Sequence, residues 1–321
     1  MDEQSDQRDV LARTFVSPSE RRLRAGWRLL VQSGIMLVVA IVLSIGGSII
    51  VAGIVFINAD LVAGDSIPET LLLGLTIVVA LPAITLSVWI ARRGLDRRSF
   101  SSLGLELKAT AARDLLVGFL IPAPLFALIF IIQWGLGWLT IEGWGWAGGS
   151  LAVTMLGVLL GLVGFFAVGF YEELLFRGYY LQNLRDGTGL AIALFLSSAV
   201  FALAHLGNFS SSFASSIGIF AAGYFLAYGW IRTGALWLPI GLHIGWNFFQ
   251  GPVFGFAVSG TPTPSIVVHS VEGPELLTGG GFGPEAGLIV LPLMALGSLF
   301  IWLYTRGRSP DPSQVELPLE S

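Results

Sequence analysis

Long apolar stretches separated by short polar segments make up most of the chain. A helix needs about 20 consecutive apolar residues to cross the hydrocarbon core of a bilayer. By that criterion the hydropathy pattern predicts about eight membrane spans. They cover roughly Gly34–Ile57, Thr70–Ala91, Leu115–Leu139, Ser150–Leu184, Leu190–Leu206, Phe213–Ile231, Leu236–Phe256 and Gly287–Tyr304. The expected fold class is therefore all-α: a polytopic membrane protein built as one bundle of transmembrane helices.

The positions of the basic side chains predict how this bundle is oriented. The chain has 17 Lys and Arg residues. They lie before the first predicted span, between the second and third, at the end of the fourth, between the sixth and seventh, and after the eighth. The segments at about 58–69, 140–149, 207–212 and 257–286 contain none. Because basic loops stay in the cytoplasm, this distribution predicts eight spans with both termini cytoplasmic.

Composition supports a membrane location and excludes several classes of function. Hydrophobic residues make up 54% of the chain and charged residues only 12%, about half the charged share of a soluble domain. The absence of Cys excludes disulfides, thiol catalysis and Cys-ligated metals. A net charge of −4 gives no sign of a nucleic-acid partner. We expect residues 1–28 and 307–321 to be cytoplasmic tails on a transmembrane bundle at 29–306.

Ionisable side chains inside the predicted spans are the strongest indication of function. Glu172, Glu173 and Arg177 lie in the fourth span, His205 at the end of the fifth, and His243 in the seventh. Such groups cost several kcal/mol in hydrocarbon unless a partner or a polar cavity receives them. Arg177 lies four positions after Glu173, and this order, with the acid first, favours an ion pair on one helix face. Glu172 points about 100° away, so it is free to face a cavity.

The histidines are expected at a similar depth to Glu172. Counted from the nearest predicted cytoplasmic turn, Glu172 lies about 20 Å along its helix, His205 about 24 Å and His243 about 15 Å. Against a core of about 30 Å, these levels differ by only one or two helical turns. Phe201 shares a helix face with His205, and Asn247 shares one with His243, because each pair is four residues apart.

Two kinds of chemistry fit these residue types. A desolvated Glu could accept a proton from water with help from a His, while the second His and Asn247 donate hydrogen bonds to an oxyanion. Alternatively, Glu172, His205 and His243 match a zinc site with two His ligands, one Glu ligand and an open position. A purely structural cluster, in which the ion pair and the histidines only lock helices together, is a further possibility. The chemistry of the residues alone leaves these alternatives open.

The motifs resemble those of the CAAX protease and bacteriocin-processing family, also called the Abi family, whose eukaryotic members are the type II CAAX prenyl endopeptidases. The family pattern is EExxxR, then FxxxH, then HxxxN or a close variant, on separate membrane helices. The matching residues here are Glu172, Glu173 and Arg177, then Phe201 and His205, then His243 and Asn247. The family-like core covers about 150–257, and Leu103-Gly104-Leu105 also resembles family members. The Pro- and Gly-rich segment from Ser259 to Pro284 departs from them.

The resemblance implies an intramembrane endopeptidase of eight helices. In it, Glu172 and His205 activate water, His243 and Asn247 stabilise the oxyanion, and Glu173, Arg177 and Phe201 support the site. The family has been described both as metal-dependent and as metal-free. A metal-free site with no cofactor is preferred, because Asn247 one turn after His243 suits an oxyanion donor; zinc on Glu172, His205 and His243 is the alternative.

The substrate is expected to be a membrane-associated peptide or protein, and the sequence leaves open whether it is lipidated as in CAAX processing. We expect the protein in the cell membrane of a prokaryote, where relatives are linked to bacteriocin maturation, self-immunity or membrane-protein regulation. Two other functions compete: a proton-coupled transporter that uses the Glu and His residues as a relay, and a non-catalytic binding or immunity protein. His269, in an outer loop free of Lys and Arg, is interpreted as an ordinary surface residue. The sequence does not indicate an oligomeric state.

Overall fold

The computed structural model describes residues 22–57 and 69–308. Helices account for 73% of it, which confirms a helical membrane fold. Within the described ranges, five helices are long and apolar enough to cross a bilayer: Ala25–Gly53, Ile77–Gly94, Ala111–Gly135, Leu151–Thr188 and Phe213–Thr233. Two shorter apolar helices cover Leu190–Ala204 and Val290–Thr305. The count of eight spans and the cytoplasmic location of both termini stay predictions.

The helices and strands follow the order of the predicted spans. In chain order the α-helices are α1 (Ala25–Ile57), α2 (Glu69–Gly94), α3 (Ala111–Leu120), α4 (Pro122–Gly135), α5 (Leu151–Glu173), α6 (Leu181–Thr188), α7 (Leu190–Ala204), α8 (Phe213–Thr233), α9 (Trp237–Phe248), α10 (Glu275–Thr278) and α11 (Val290–Thr305). The strands are β1 (Leu139–Trp144) and β2 (Val267–Val271). Short 3₁₀ turns cover Ser101–Leu103, Gly280–Phe282 and Pro284–Ala286.

The fourth predicted span is one continuous helical rod, but its winding changes in the middle. Helix α5 widens into a π-helical segment at Leu174–Tyr180 and then continues as α6. π-helical turns inside α-helices are rare and are frequent at functional sites. In this chain the widened segment begins directly after Glu173.

Two outer segments expected to be loops form a small antiparallel sheet. Strand β1 pairs with β2, from Leu139 opposite Val271 to Trp144 opposite Val267, with an irregularity between Ile141 and Gly143. The β-branched residues in both strands favour this extended pairing. The hydropathy criterion missed it because both segments lie outside the long apolar stretches. The sheet ties the segment after α4 to the loop before α11.

The interpretation of His269 as an ordinary surface residue is wrong. Its ring is half-buried in the sheet region, with its centroid 4.7 Å from that of Phe256 and 5.9 Å from that of Phe130. This burial lowers the pKa of His269. The residue therefore serves as a packing element of the outer sheet.

A buried polar network holds the far end of the continuous helix formed by α5, Leu174–Tyr180 and α6, called the site helix below. Asp96 accepts hydrogen bonds from Arg28 and Arg92, each at 2.9 Å, and from the amide of Asn183 at 3.4 Å. Asp186 pairs with Arg22 at 3.1 Å. These contacts join α1, α2 and α6. Of the predicted tails, residues 1–21 and 309–321 lie outside the described residues, and the division at residues 28 and 307 stays a prediction.

Helix α9, which carries His243 and Asn247, packs closely against α3 through glycine. A Cβ atom at Gly241 would overlap the carbonyl oxygen of Leu115, and one at Gly245 would overlap that of Phe119. Small residues allow membrane helices to approach this closely. The glycines of α9 therefore set the position of the helix that carries half of the candidate site.

We expect Gly241→Ala to destabilise the bundle. The added methyl group meets backbone rather than a flexible side chain, and overpacking of this kind costs about 1–3 kcal/mol. Thermal unfolding of the purified protein in detergent measures the effect. Gly34→Ala is the matched control, because a Cβ at Gly34 has no atom within 4 Å. Equal melting temperatures for the two variants would contradict this account of the packing.

Candidate active site

Glu173 is the centre of a buried ionic cluster. Its carboxylate is fully buried, and its Oε1 atom accepts a 2.7 Å hydrogen bond from Arg177 Nη1. The same oxygen lies 2.8 Å from Nδ1 of His243. Arg177 also donates to the carbonyl oxygen of Gly223 at 3.2 Å, and its guanidinium lies 4.3 Å from the ring centre of Phe201. The cluster thus joins the site helix to α7, α8 and α9.

The surroundings of each site histidine determine which ring nitrogen carries a proton. His205 Nδ1 lies 2.8 Å from the carbonyl oxygen of Phe201, and a carbonyl only accepts, so this nitrogen carries the hydrogen. Helix α7 ends at Ala204, which leaves that carbonyl without a helical partner. His243 Nδ1 faces the carboxylate of Glu173, an ionised partner of Arg177, and donates to it. Both rings are therefore fixed through Nδ1 and present Nε2.

Both Nε2 atoms face the same carboxylate oxygen. Glu172 Oε2 lies 3.7 Å from Nε2 of His243 and 3.9 Å from Nε2 of His205. These separations exceed direct hydrogen-bond length, and Oε2 is buried without a hydrogen-bond partner. The three atoms therefore surround a gap, and a polar contact of this length is one that a water molecule commonly bridges.

A cavity of about 280 Å³ opens onto this gap. The side chains of Glu172, His205, His243 and Asn247 all line it. Asn247 lies one helical turn after His243 and is buried. Aromatic and aliphatic side chains form much of the remaining wall: Phe165, Val168, Ile219, Phe225 and Leu226. An apolar cavity with a few convergent polar groups is the usual form of a binding or active site.

The structure brings all seven residues of the sequence motifs together. Glu173 and Arg177 lie behind the cavity wall, whereas Glu172, Phe201, His205, His243 and Asn247 line the cavity. The structural cluster considered from the sequence describes Glu173 and Arg177 well. It does not describe Glu172, which lines the cavity and whose Oε2 lies beyond hydrogen-bond length from both ring nitrogens.

Three of the cavity residues outside the motif positions are joined by hydrogen bonds. Glu285, on the 3₁₀ turn before α11, accepts hydrogen bonds from Trp246 Nε1 at 3.0 Å and from the backbone amide of Ser259 at 2.7 Å. All three line the cavity. An acidic residue beside a predicted span is a detectable signal. The position of Glu285 in the cavity could not be predicted, because sequence spacing does not show where the long loop before α11 folds back.

The zinc alternative requires Glu172, His205 and His243 as ligands. Ligand atoms about 2 Å from a tetrahedral zinc ion lie roughly 3.3 Å apart, and the Glu172 oxygen is farther than that from both ring nitrogens. Across the described part of the chain, no group of three or more His, Asp or Glu residues is arranged to hold a metal ion. Zinc binding would therefore require these side chains to move closer together, and the expectation of a metal-free site stays a prediction.

A comparison with protein families identifies the part of the chain that contains the motif residues. Residues 154–249 match the family model for type II CAAX prenyl endopeptidase Rce1-like proteins. No curated protein matches the chain, and no solved structure matches it. The matched range contains every motif residue from Glu172 to Asn247. This match confirms the resemblance seen in the sequence. Residues 154–249 of this integral membrane protein form a type II CAAX prenyl endopeptidase Rce1-like domain, which is the domain of a CAAX-type protease.

Proposed function

We propose that this protein is an intramembrane endopeptidase that hydrolyses a peptide bond of a membrane-associated substrate with water activated by Glu172 and His205. One observation carries the proposal: a buried, unpartnered carboxylate oxygen of Glu172 faces the Nε2 atoms of two histidines across a gap inside an apolar cavity. The structural ion pair of Glu173 with Arg177, by contrast, does not line the cavity. We also propose that the protein lies in the cell membrane of a prokaryote.

Water activation follows from the proton positions. A water molecule in the gap donates one hydrogen to Glu172 Oε2, and its other hydrogen can reach the Nε2 lone pair of His205, because Nδ1 of that ring carries the hydrogen. As the water oxygen attacks the scissile carbonyl carbon, its proton passes to Glu172. The same proton then reaches the leaving amine. General-base assistance of this kind contributes about 10²–10⁴-fold to the rate.

The opposite side of the gap supplies donors for the developing charge. The side-chain amide of Asn247 carries N–H groups that can donate to the oxyanion of a tetrahedral intermediate. His243 adds a second donor when its Nε2 is protonated, and Glu173 stabilises the resulting positive charge through Nδ1. Donors that are already in place cost no reorganisation during the reaction. Glu173 and Arg177 are positioning residues in this scheme.

We expect Glu172→Ala to abolish cleavage while the protein still folds, since it removes the base and leaves the Glu173 cluster in place. Membranes from cells that express the wild type or the variant at matched levels are compared by mass spectrometry of newly formed peptide termini. Termini should occur only with the wild type, with a loss of at least about 10²-fold in the variant. Glu142→Ala, at an exposed residue of β1, is the control. Identical sets of termini from the wild type and Glu172→Ala would contradict the proposal.

We expect cleavage to survive the removal of divalent metal, because the proposed route transfers the proton from water to Glu172 and on to the leaving amine without a metal ion. The purified protein is dialysed against a chelator, and cleavage of a substrate from the terminus mapping is measured before and after zinc is added. Cleavage rates should stay within about twofold. In a metal-dependent site, by contrast, loss of the metal would remove the nucleophile and abolish cleavage. A loss of activity that zinc restores, with bound zinc found by elemental analysis, would establish the metal-dependent alternative.

A further inference from the structure

A second cavity, of about 220 Å³, lies at the end of the site helix. It shares no lining residue with the active-site cavity, and Arg185 on its wall is about 20 Å along the helix from Glu172. Of the described residues that line the second cavity, three are arginines and none is acidic: Arg92, Arg98 and Arg185. The cavity is therefore a separate space with a positively charged wall.

Neighbouring side chains hold the two buried guanidinium groups in place. Arg92 donates to Asp96 Oδ2 at 2.9 Å and to Ser102 Oγ at 2.9 Å. The guanidinium carbon of Arg185 lies 5.3 Å from the ring centre of Trp230, within the range of a cation–π contact. Ser102 and Trp230 line the same cavity. The charges of the wall are thus ordered before any ligand arrives.

Arg98 connects the cavity with the protein surface. Its side chain is 43% exposed, whereas that of Arg92 is 3% exposed and that of Arg185 is 9% exposed. Two arginines therefore lie at the buried end of the cavity and one lies at its entrance. A ligand that enters meets a guanidinium group at each level.

The carboxylates near these arginines are Asp96 and Asp186, and neither lines the cavity. Each is shared by more than one guanidinium group. Asp96 is bound by Arg28 and Arg92. Asp186 lies within 4 Å of three guanidinium groups, those of Arg22, Arg98 and Arg185. The acidic groups thus support the wall from behind, and the groups that face the cavity are cationic.

The cavity lies where three apolar helices of membrane-spanning length end. Those helices end at Gly94, Thr188 and Thr233, each within three residues of a cavity residue: Arg92, Arg185 and Trp230. A helix C-terminus carries roughly half a negative charge, which a full guanidinium charge beside each of two ends and a third at the entrance outweigh. Lipid phosphates lie at the level where membrane spans end, and basic pockets between membrane helices bind lipid head groups.

We propose that this second cavity binds the phosphate group of an anionic ligand. An anion that leaves water needs cations and several donors in return, and a guanidinium group offers both in a planar fork that fits phosphate oxygens. Arg98 and Arg185 supply donors. Arg92, which Asp96 and Ser102 already hold, contributes chiefly its charge. A lipid head group and free phosphate present the same chemistry to this site, which does not depend on the proposed peptidase activity.

Thermal unfolding of the full-length protein in a neutral detergent tests the site. In one arm inorganic phosphate is added while chloride keeps the ionic strength constant. In the other arm dioleoyl phosphatidic acid is added, with dioleoylglycerol as the matched lipid without phosphate. A ligand that binds the folded state raises the melting temperature in a saturable manner. We expect this rise with a phosphate-bearing probe and none with dioleoylglycerol, and native mass spectrometry should count one tightly bound phosphatidic acid per chain.

Three variants assign the binding to the cavity. Arg98→Gln and Arg185→Gln should each weaken binding by about tenfold or more, because each removes charge-assisted hydrogen bonds to the ligand. Arg93→Gln is the matched control, since Arg93 is next to Arg92 on the same helix but is exposed and does not line the cavity. Its affinity should stay within about twofold of the wild type. If Arg185→Gln does not fold, Arg98→Gln at the partly exposed entrance decides.

The two arms identify the source of the phosphate. A variant-sensitive rise with phosphatidic acid alone supports a lipid head group, and one with inorganic phosphate alone or with both probes supports a site that free phosphate also fills. The proposal is overturned if neither probe raises the melting temperature. It is also overturned if Arg98→Gln binds like the wild type, or if Arg93→Gln weakens binding as much as Arg98→Gln, because diffuse surface charge would then account for the effect.

Discussion

The rest of the site depends on one oxygen atom, Oε1 of Glu173, which accepts hydrogen bonds from both Arg177 and His243. A carboxylate buried in a membrane bundle is tolerable only when a nearby cation balances its charge. Arg177 supplies the charge and His243 supplies the second donor. That bond also fixes the His243 ring, so that its Nε2 faces the cavity. Charge balance and catalytic geometry are therefore set by the same contacts.

The remaining constraints place groups around this cluster. Glycines let α9 approach α3, the unpaired carbonyl at the end of α7 orients His205, and the adjacent position in the chain directs Glu172 into the cavity instead of the cluster. On the outer side, Glu285 holds the long loop against Trp246. The inner wall thus carries the proposed chemistry, and the long loop completes the cavity wall.

Spacing along single helices predicted the local parts of this arrangement. The separation of Glu173 from Arg177 predicts their ion pair, and one residue of offset places Glu172 on another face. Helix depth predicted that the histidines lie near Glu172. Pairings between helices could not be predicted, because nothing in the spacing shows that Glu173, rather than Glu172, binds His243. The end of α7 before His205, the sheet between β1 and β2, and the return of Glu285 to the cavity depend on loop paths that hydropathy does not encode.

The most direct test of this account is the protonation of the two site rings, because both must present Nε2 to Glu172. The chain has only three histidines, so ¹⁵N-histidine NMR of the protein in lipid is tractable, with His269→Gln and His205→Gln variants for assignment. The account predicts that Nδ1 carries a proton in His205 and in His243 at neutral pH. A bare Nδ1 with a proton on Nε2 in either ring would contradict it.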